Sequence, residues 1–186
     1  AYIEVVKVDP QTVELHFALG SLFRRRGELE RAIRMHQNLV ERPDLQDDQK
    51  RAALFELAQD YLKAGLLDRA EELFLKLEGT PHAEQALKFL LEIYQQEKDW
   101  QKAIVAAAKH ESVTGHSHQK EIANFYCELA SGEMMHSRPA GARPHLESAL
   151  AHHRLCVRAN VLLGDLELSL GNAEAAVDAW KRIESQ

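Results

Sequence analysis

Ten histidines are many for a chain of 186 residues, and two short clusters, His116-x-His118 and His152-His153, contain side chains that ligate metal ions in other proteins. Metal sites combine such histidines with cysteine or carboxylate ligands at characteristic spacings. Neither cluster has these ligands at an established spacing nearby. We therefore expect structural or surface histidines and no metal site. His36 is expected to be buried and hydrogen bonded, because it lies at a helix position that packs on the preceding helix.

Other residue types that perform catalysis are no better arranged. Carboxylate pairs such as Glu71-Glu72 lie in stretches patterned as solvated helix or loop, and the sequence has neither a glycine-rich phosphate loop nor a nucleophile elbow. Cys127 and Cys156 lie in helical stretches without a CxxC pair, which favours buried, reduced thiols over a disulfide or a zinc site. The sequence therefore predicts no catalytic residue, no cofactor bound by this chain and no enzyme activity.

A pattern of paired helices returns five times along the chain. Small residues close the first helix of each pair, and an alanine near the start of the second recurs at spacings of 38, 33, 39 and 34 residues. This is near the ~34-residue period of tetratricopeptide repeats. We predict an all-α fold, a right-handed superhelical solenoid of tetratricopeptide helix hairpins. The alanines are Ala32, Ala70, Ala103, Ala142 and Ala176.

The register of these alanines divides the chain into segments. Residues 1–12 are interpreted as the tail of a truncated preceding repeat, with Tyr2 to Val8 as the end of its second helix, so we expect a piece of a longer solenoid. The longer spacings indicate loop insertions near residues 42–49 and 112–119. The five predicted repeat units span residues 13–46, 51–83, 84–117, 123–156 and 157–186.

The turn between the two helices of a pair is marked by glycine in three units. In the third unit Lys98 occupies this position, and the fourth turn contains Pro139, which is disfavoured inside a helix. Pro144 is expected in the first turn of the helix that follows, where proline is well tolerated. The three glycines are Gly27, Gly65 and Gly171.

Composition and charge exclude several classes of function. The formal net charge is -6, with 28% charged residues, so the concentrated positive charge that binds nucleic acid is missing. No window approaches ~18 consecutive apolar residues, and the N-terminus lacks the pattern of a signal peptide. We expect no nucleic-acid partner, no direct membrane insertion by this chain, and a reducing cytosol around it.

Three stretches carry a more specific resemblance. They are GSLFRRRGELERAIRMHQ at residues 20–37, DYLKAGLLDRAE at residues 60–71 and FYCELA at residues 125–130, and they resemble the lipopolysaccharide assembly protein B (LapB) family. The resemblance spans nearly the whole chain. It implies a cytoplasmic repeat domain, anchored to the bacterial inner membrane by an N-terminal helix. It also implies a C-terminal rubredoxin-like module, in which paired CxxC motifs hold iron or zinc.

The same resemblance implies a non-enzymatic protein-binding adaptor. Such an adaptor regulates lipopolysaccharide synthesis by promoting proteolysis of LpxC, the lipid A pathway deacetylase, by the membrane protease FtsH, in coordination with lipopolysaccharide assembly. Lipopolysaccharide assembly or regulatory membrane proteins are further expected partners. The alternative is a tetratricopeptide scaffold that gathers assembly proteins at the inner membrane without a proteolytic role. Self-association into a homodimer stays open, because an exposed groove can pair with a second copy.

The partner is expected in a groove lined by the first helices of units one and two. Repeat positions 2, 5, 9, 12 and 13 usually face this groove, and here they supply two phenylalanines and three cations. Such a surface suits an extended or helical segment with apolar anchors and acidic flanks. In the alternative interpretation the phenylalanines pack between helices and the arginines form a solvated helix end. The groove residues are Glu14, Phe17, Ser21, Arg24, Arg25, Phe55, Gln59, Leu62 and Lys63.

Overall fold

The computed structural model describes residues 10–184, which form ten α-helices and no β-strand. The predicted all-α class is confirmed, whereas the interpretation of Tyr2 to Val8 concerns residues outside the described part. None of the described helices is long and apolar enough to cross a membrane. The helices are α1 (Pro10–Arg25), α2 (Leu29–Glu41), α3 (Asp47–Lys63), α4 (Leu67–Leu75), α5 (Ala83–Glu97), α6 (Trp100–Thr114), α7 (Gln119–Met135), α8 (Pro139–His152), α9 (Val157–Ser169) and α10 (Ala173–Glu184).

The chain divides into two compact units, one up to Ile93 and one from Tyr94 onward, with the boundary inside α5. In the first unit α1 packs on α2, α2 on α3 and α3 on α4, and α1 also contacts α3. In the second unit each of α6 to α9 packs on the next helix, and α7 also contacts α9. Each unit is therefore built from consecutive helix pairs whose first helices also touch one another.

Small residues hold the helices of each pair close together. All five alanines that mark the repeat have no exposed surface. Gly20 on α1 lies directly under the ring of His36 on α2, and a Cβ atom at Gly20 would come within 2.3 Å of His36 Nε2. Gly164 on α9 has the same relation to Trp180 on α10, because a Cβ atom at Gly164 would come within 2.0 Å of Trp180 Nε1. Because interiors are close-packed, these contacts leave no room for a methyl group.

The turns inside the helix pairs share one backbone conformation. Gly27, Gly65 and Gly171 have φ angles of 81°, 78° and 83°, in the left-handed region that glycine adopts most easily. Lys98 and Ser137 take the same role in the other two turns with φ angles of 58° and 57°. A side chain in this region costs free energy, so these two turns are more strained than the glycine turns.

The fourth turn corrects one sequence prediction. The helix that follows it begins at Pro139, so Pro139 occupies the first helical position, where a missing N–H costs nothing. Pro144 was expected in this first turn, but it lies inside α8. The reason is that Ser137 makes the left-handed turn and Arg138 already precedes the helix. Since Pro144 has no N–H, the carbonyl of Ala140 lacks its usual helical donor.

The two predicted insertions are shorter loops than the repeat spacing indicates. Between α2 and α3 only residues 42–46 are non-helical, and there Leu45 is buried against a cluster that includes Val13, Leu39 and Ala53. Between α6 and α7 the loop is residues 115–118, and Gly115 ends α6 with a φ angle of 74°. The extra residues therefore lengthen the flanking helices as well as the loops.

Candidate protein-binding surface

The predicted groove residues lie on α1 and α3 of the first unit, and they differ widely in exposure. Glu14, Arg25 and Lys63 are exposed to solvent. Phe55 is only 8% exposed. The others are half-buried, namely Phe17, Ser21, Arg24, Gln59 and Leu62.

Phe55 belongs to the core rather than to an open surface. Its ring centroid lies 5.0 Å from that of His82, 6.0 Å from that of Phe89 and 6.2 Å from that of Phe74. Packing of this kind favours offset or edge contacts between rings. The placement of Phe55 in an exposed groove is therefore corrected, in favour of the alternative that it packs between helices.

Phe17 has a mixed environment. It packs on the buried cluster of Val13, Leu39, Leu45 and Ala53, and its ring centroid lies 6.4 Å from that of His36. The side chain nevertheless remains only half-buried. Of the two phenylalanines expected to anchor a partner, only Phe17 keeps apolar surface that a partner can cover.

Arg24 is held by two carboxylates of α3. Its Nη2 atom lies 2.7 Å from Glu56 Oε2, its Nη1 atom lies 2.9 Å from Asp60 Oδ1, and Nη1 also donates to the carbonyl of Glu56 at 3.2 Å. Burial opposes the charge of Arg24, but the hydrogen bonds to Asp60 and Glu56 outweigh it and raise the pKa of the guanidinium. Arg24 therefore joins α1 to α3, and most of its donors are already in use.

His36 confirms the prediction of a buried, hydrogen-bonded imidazole. It has no exposed surface, and its Nδ1 atom donates to Asp60 Oδ2, which is equally buried. Asp60 thus accepts from α1 through Arg24 and from α2 through His36. One carboxylate on α3 therefore ties three helices together beneath the α1–α3 surface.

The remaining cations of this surface lie at the ends of the two helices. Lys63 donates from Nζ to the carbonyl of Arg24 at 3.0 Å, which satisfies an acceptor at the C-terminal end of α1. Positive charge is favourable there because the helix dipole makes that end negative. Arg25 and Lys63 remain exposed, so they are the cations that a partner can reach from solvent.

The histidines of the second unit form a network that the sequence clusters did not reveal. His110 on α6 is buried, and its Nδ1 atom lies 2.7 Å from Nε2 of His118. His152 Nδ1 lies 2.7 Å from Oε1 of Gln119, and its ring stacks on Tyr126. His110 was missed because its partner is eight residues away across a loop, and no helical periodicity relates them.

Glu111 fixes the start of α7 beside this network. The backbone N–H of His118 and the side-chain amide of Gln119 both donate to its carboxylate, and together they lower the pKa of Glu111. His118 also approaches Glu121, with Nδ1 at 3.3 Å from Oε2. His116 is exposed and His153 is half-buried. The arrangement orients a loop and a helix start by hydrogen bonds.

The two cysteines lie together in the core of the second unit. Cys127 has no exposed surface and Cys156 is 8% exposed, and both are free thiols packed among Ala123, Ala149 and Ala159. Burial, together with the neighbouring Cys156 thiol, raises the pKa of Cys127 to about 12. The expectation that both cysteines are buried is confirmed.

Comparison with known proteins agrees with the repeat architecture. The tetratricopeptide repeat models match residues 15–49 and 127–184, which together make up half of the chain. This chain belongs to the tetratricopeptide-repeat family. The tetratricopeptide-repeat chain is similar in fold to the crystal structure of MamA, with a TM-score of 0.53 at 19% sequence identity, over 94% of this chain and 91% of MamA.

Closer sequence relatives extend the comparison to the whole chain. This tetratricopeptide-repeat chain is 39% identical over 186 residues to lipopolysaccharide assembly protein B of Escherichia coli (strain K12), covering 100% of this chain and 48% of that protein. It is 38% identical over 174 residues to lipopolysaccharide assembly protein B of Haemophilus influenzae, covering 93% of this chain and 44% of that protein. The chain therefore spans about half the length of these curated relatives, and the resemblance inferred from its motifs is confirmed.

Proposed function

We propose that this chain is the partner-binding repeat region of a proteolysis adaptor that brings the deacetylase LpxC to the membrane protease FtsH. The observation that carries the proposal is the 39% identity to lipopolysaccharide assembly protein B along all 186 residues. The helix-pair fold supports it, because such repeats present extended protein-binding surfaces. In the described site Arg24, Asp60 and His36 join helices to one another, whereas Arg25 and Lys63 stay exposed for contact with a partner.

An adaptor of this kind needs affinity and geometry rather than reactive groups. It accelerates proteolysis by raising the local concentration of the substrate at the protease. The α1–α3 surface offers half-buried Phe17 as an apolar contact, with Arg25 and Lys63 as exposed cations. These groups complement a segment that has an apolar side chain and acidic neighbours. Arg24, Asp60 and His36 hold the two helices beneath it in place.

The proposal also covers the whole protein. It places the repeat region on the cytoplasmic side of the inner membrane, held there by an N-terminal helix, with lipopolysaccharide assembly or regulatory membrane proteins as further partners. It assigns iron or zinc to a rubredoxin-like module outside this chain. Metal analysis of the purified full-length protein, with and without that module, tests this assignment separately from the adaptor role.

The adaptor role is tested by the half-life of LpxC in cells depleted of the full-length protein. Rescue is compared between the wild type and a variant in which the two exposed cations are reversed, Arg25→Glu with Lys63→Glu. The matched control reverses one arginine on α4 and the lysine that follows its last residue, Arg69→Glu with Lys76→Glu, since both are also exposed. Thermal unfolding of each purified chain establishes that the variants are folded.

We expect depletion to prolong the half-life of LpxC, and we expect the wild type and the α4 variant to restore rapid turnover. The α1–α3 variant should restore it poorly. A half-life that depletion does not change would reject the adaptor role. If lipopolysaccharide assembly is disturbed in those same cells, the scaffold function takes its place, which the word "assembly" in the name of the relatives favours. Full rescue by both variants would instead remove the α1–α3 surface from the proposal.

A further inference from the structure

A second surface of the first unit lies on the first helix pair, formed by α2 and the end of α1. Arg34 and Met35 each lie three or four residues from Arg31 and from Asn38, so the four side chains form a single stripe along α2. With Phe23 of α1 they line a pocket of about 240 Å³. The buried residues of α2, which are Ala32, His36 and Leu39, are not among those that line it.

The pocket has an apolar floor and a cationic rim. Phe23 and Met35 are half-buried, whereas Arg31, Arg34 and Asn38 are exposed. The guanidinium carbon of Arg31 lies 5.7 Å from the centre of the Phe23 ring, which holds this cation over the floor. Its carboxylate contact, to Glu28 at 3.3 Å, is solvent-exposed and therefore weak.

The side chains of Arg34 and Asn38 form no hydrogen bond or ion pair with any of the described residues. Arginine has donors only, and a guanidinium binds a carboxylate best through two parallel hydrogen bonds. Arg34 therefore needs an acceptor, and a carboxylate satisfies it best. A group that covers Phe23 and Met35 must be apolar, and the volume is suited to one large side chain.

The charge distribution favours an acidic occupant as well. Residues 10–42 contain six arginines, no lysine and four glutamates, although the whole chain carries a net charge of -6. This helix pair is thus a positive region of an acidic protein, and it attracts acidic partners. Two arginines beside an apolar floor do not match the long series of phosphates in a nucleic acid.

We propose that this pocket docks a segment of a partner protein in which an acidic residue adjoins a large apolar residue. The carboxylate pairs with Arg34, and Asn38 donates to the backbone or to the second carboxylate oxygen. The apolar side chain covers Phe23 and Met35 beneath Arg31. This inference does not depend on the proposed adaptor function, because the pocket uses none of the groove residues.

The test uses the whole chain and a fluorescein-labelled peptide, capped at both ends, of sequence Gly-Asp-Leu-Asp-Phe-Asp-Gly. Binding is followed by fluorescence anisotropy, and the site is located by NMR shifts of backbone amides. Two further peptides replace each Asp by Asn, or the Leu and Phe by Gly. Arg34→Glu is the test variant. Arg69→Glu is its matched control. Arg69 is also an exposed arginine near an aromatic ring, on α4, and its guanidinium carbon lies 5.8 Å from the ring centre of Tyr61.

We expect shifts on α2 and near Phe23, and about a tenfold or greater loss of affinity in Arg34→Glu with little change in Arg69→Glu. Both altered peptides should bind more weakly than the parent peptide. Absence of binding at about 1 mM chain would overturn the proposal. Equal binding by the peptide without Leu and Phe would show that the peptide binds by general charge attraction and would also overturn the proposal. Shifts confined to the α1–α3 surface would place the peptide on that surface instead.

Discussion

The imidazole Nδ1 of His36 donates a hydrogen bond to Asp60 Oδ2 across the contact between α2 and α3, and neither side chain has any exposed surface. His36 Nε2 has no hydrogen-bond partner among the described residues. Among the described residues, the contact with Asp60 is therefore the hydrogen bond that fixes this ring. Asp60 also pairs with Arg24, whose Nη1 atom lies 2.9 Å away.

Removal of this carboxylate is expected to destabilise the first unit strongly. Asp60→Ala leaves the half-buried Arg24 with Glu56 as its remaining carboxylate partner and His36 with a buried donor that nothing accepts, and breaking a buried pair in this way costs about 3–5 kcal/mol. This loss of stability is measured as the change in the free energy of unfolding, from urea titrations followed by circular dichroism. Glu56→Gln is the control, because Glu56 is partly exposed and should cost much less. Equal losses would mean that the buried Asp60 has no special role.

Gly20→Ala should destabilise the chain even though alanine is the better helix former. The new methyl group would lie 2.3 Å from His36 Nε2, and Asp60 holds that ring from its other nitrogen, so overpacking should cost about 1–3 kcal/mol. Gly132→Ala is the matched control, since a Cβ atom there has nothing within 4 Å. It should stabilise α7 by up to about 1 kcal/mol. Thermal unfolding of the two variants should therefore shift in opposite directions.

Lys98→Gly should stabilise the turn between α5 and α6. Lys98 has a φ angle of 58°, which glycine adopts without steric cost, so the expected gain is about 0.5–1 kcal/mol. Gln96→Gly, two residues earlier within α5, should instead cost about 1 kcal/mol because it weakens a helix. Urea titration decides between these signs. A loss in Lys98→Gly would show that its side chain contributes more than its backbone conformation costs.

Glu167 gives the second unit a pH dependence of known sign. Its hydrogen bonds from Arg143 and Asn172 lower the pKa of its carboxyl from the ordinary 4.5. A carboxyl whose folded pKa is lowered stabilises the folded chain above about pH 4.5, and this contribution is lost as the pH falls through its folded pKa. Glu167→Gln should therefore flatten the fall in stability below pH about 4.5. Glu174→Gln, the same change at an exposed position on α10, is the control.

The sequence predicted the helix pairs because close helix contact requires small residues at fixed intervals. Ala32 and Gly20 mark such contacts, because Ala32 has no exposed surface and Gly20 has no room for a Cβ atom. Phe55 was harder, because repeat register gives the direction of Cα–Cβ but not the side to which a long ring turns. It turns toward Phe74 and Phe89 of later helices.

The features of the candidate surfaces that the sequence did not reveal depend on contacts between residues far apart along the chain. Arg24 was expected to face a partner, but the carboxylates of Glu56 and Asp60, 32 and 36 residues away, occupy its donors. The sequence did not predict Arg34 as a binding residue, because a lone arginine on a helix has no distinguishing pattern. It becomes a candidate only when Phe23 and Met35 are found to form an apolar floor beside it.

Cys127 should be almost unreactive while the chain is folded. Its pKa of about 12 keeps the thiolate, which is the reactive form, scarce at neutral pH, and its side chain has no exposed surface. Alkylation by iodoacetamide, with the modified cysteine identified by mass spectrometry, should therefore be slow in buffer and fast in urea. In Ala149→Gly, which loosens the packing around the thiol, the rate in buffer should rise because opening becomes more frequent. A rate in buffer that matches the rate in urea would contradict the buried position of Cys127 on α7.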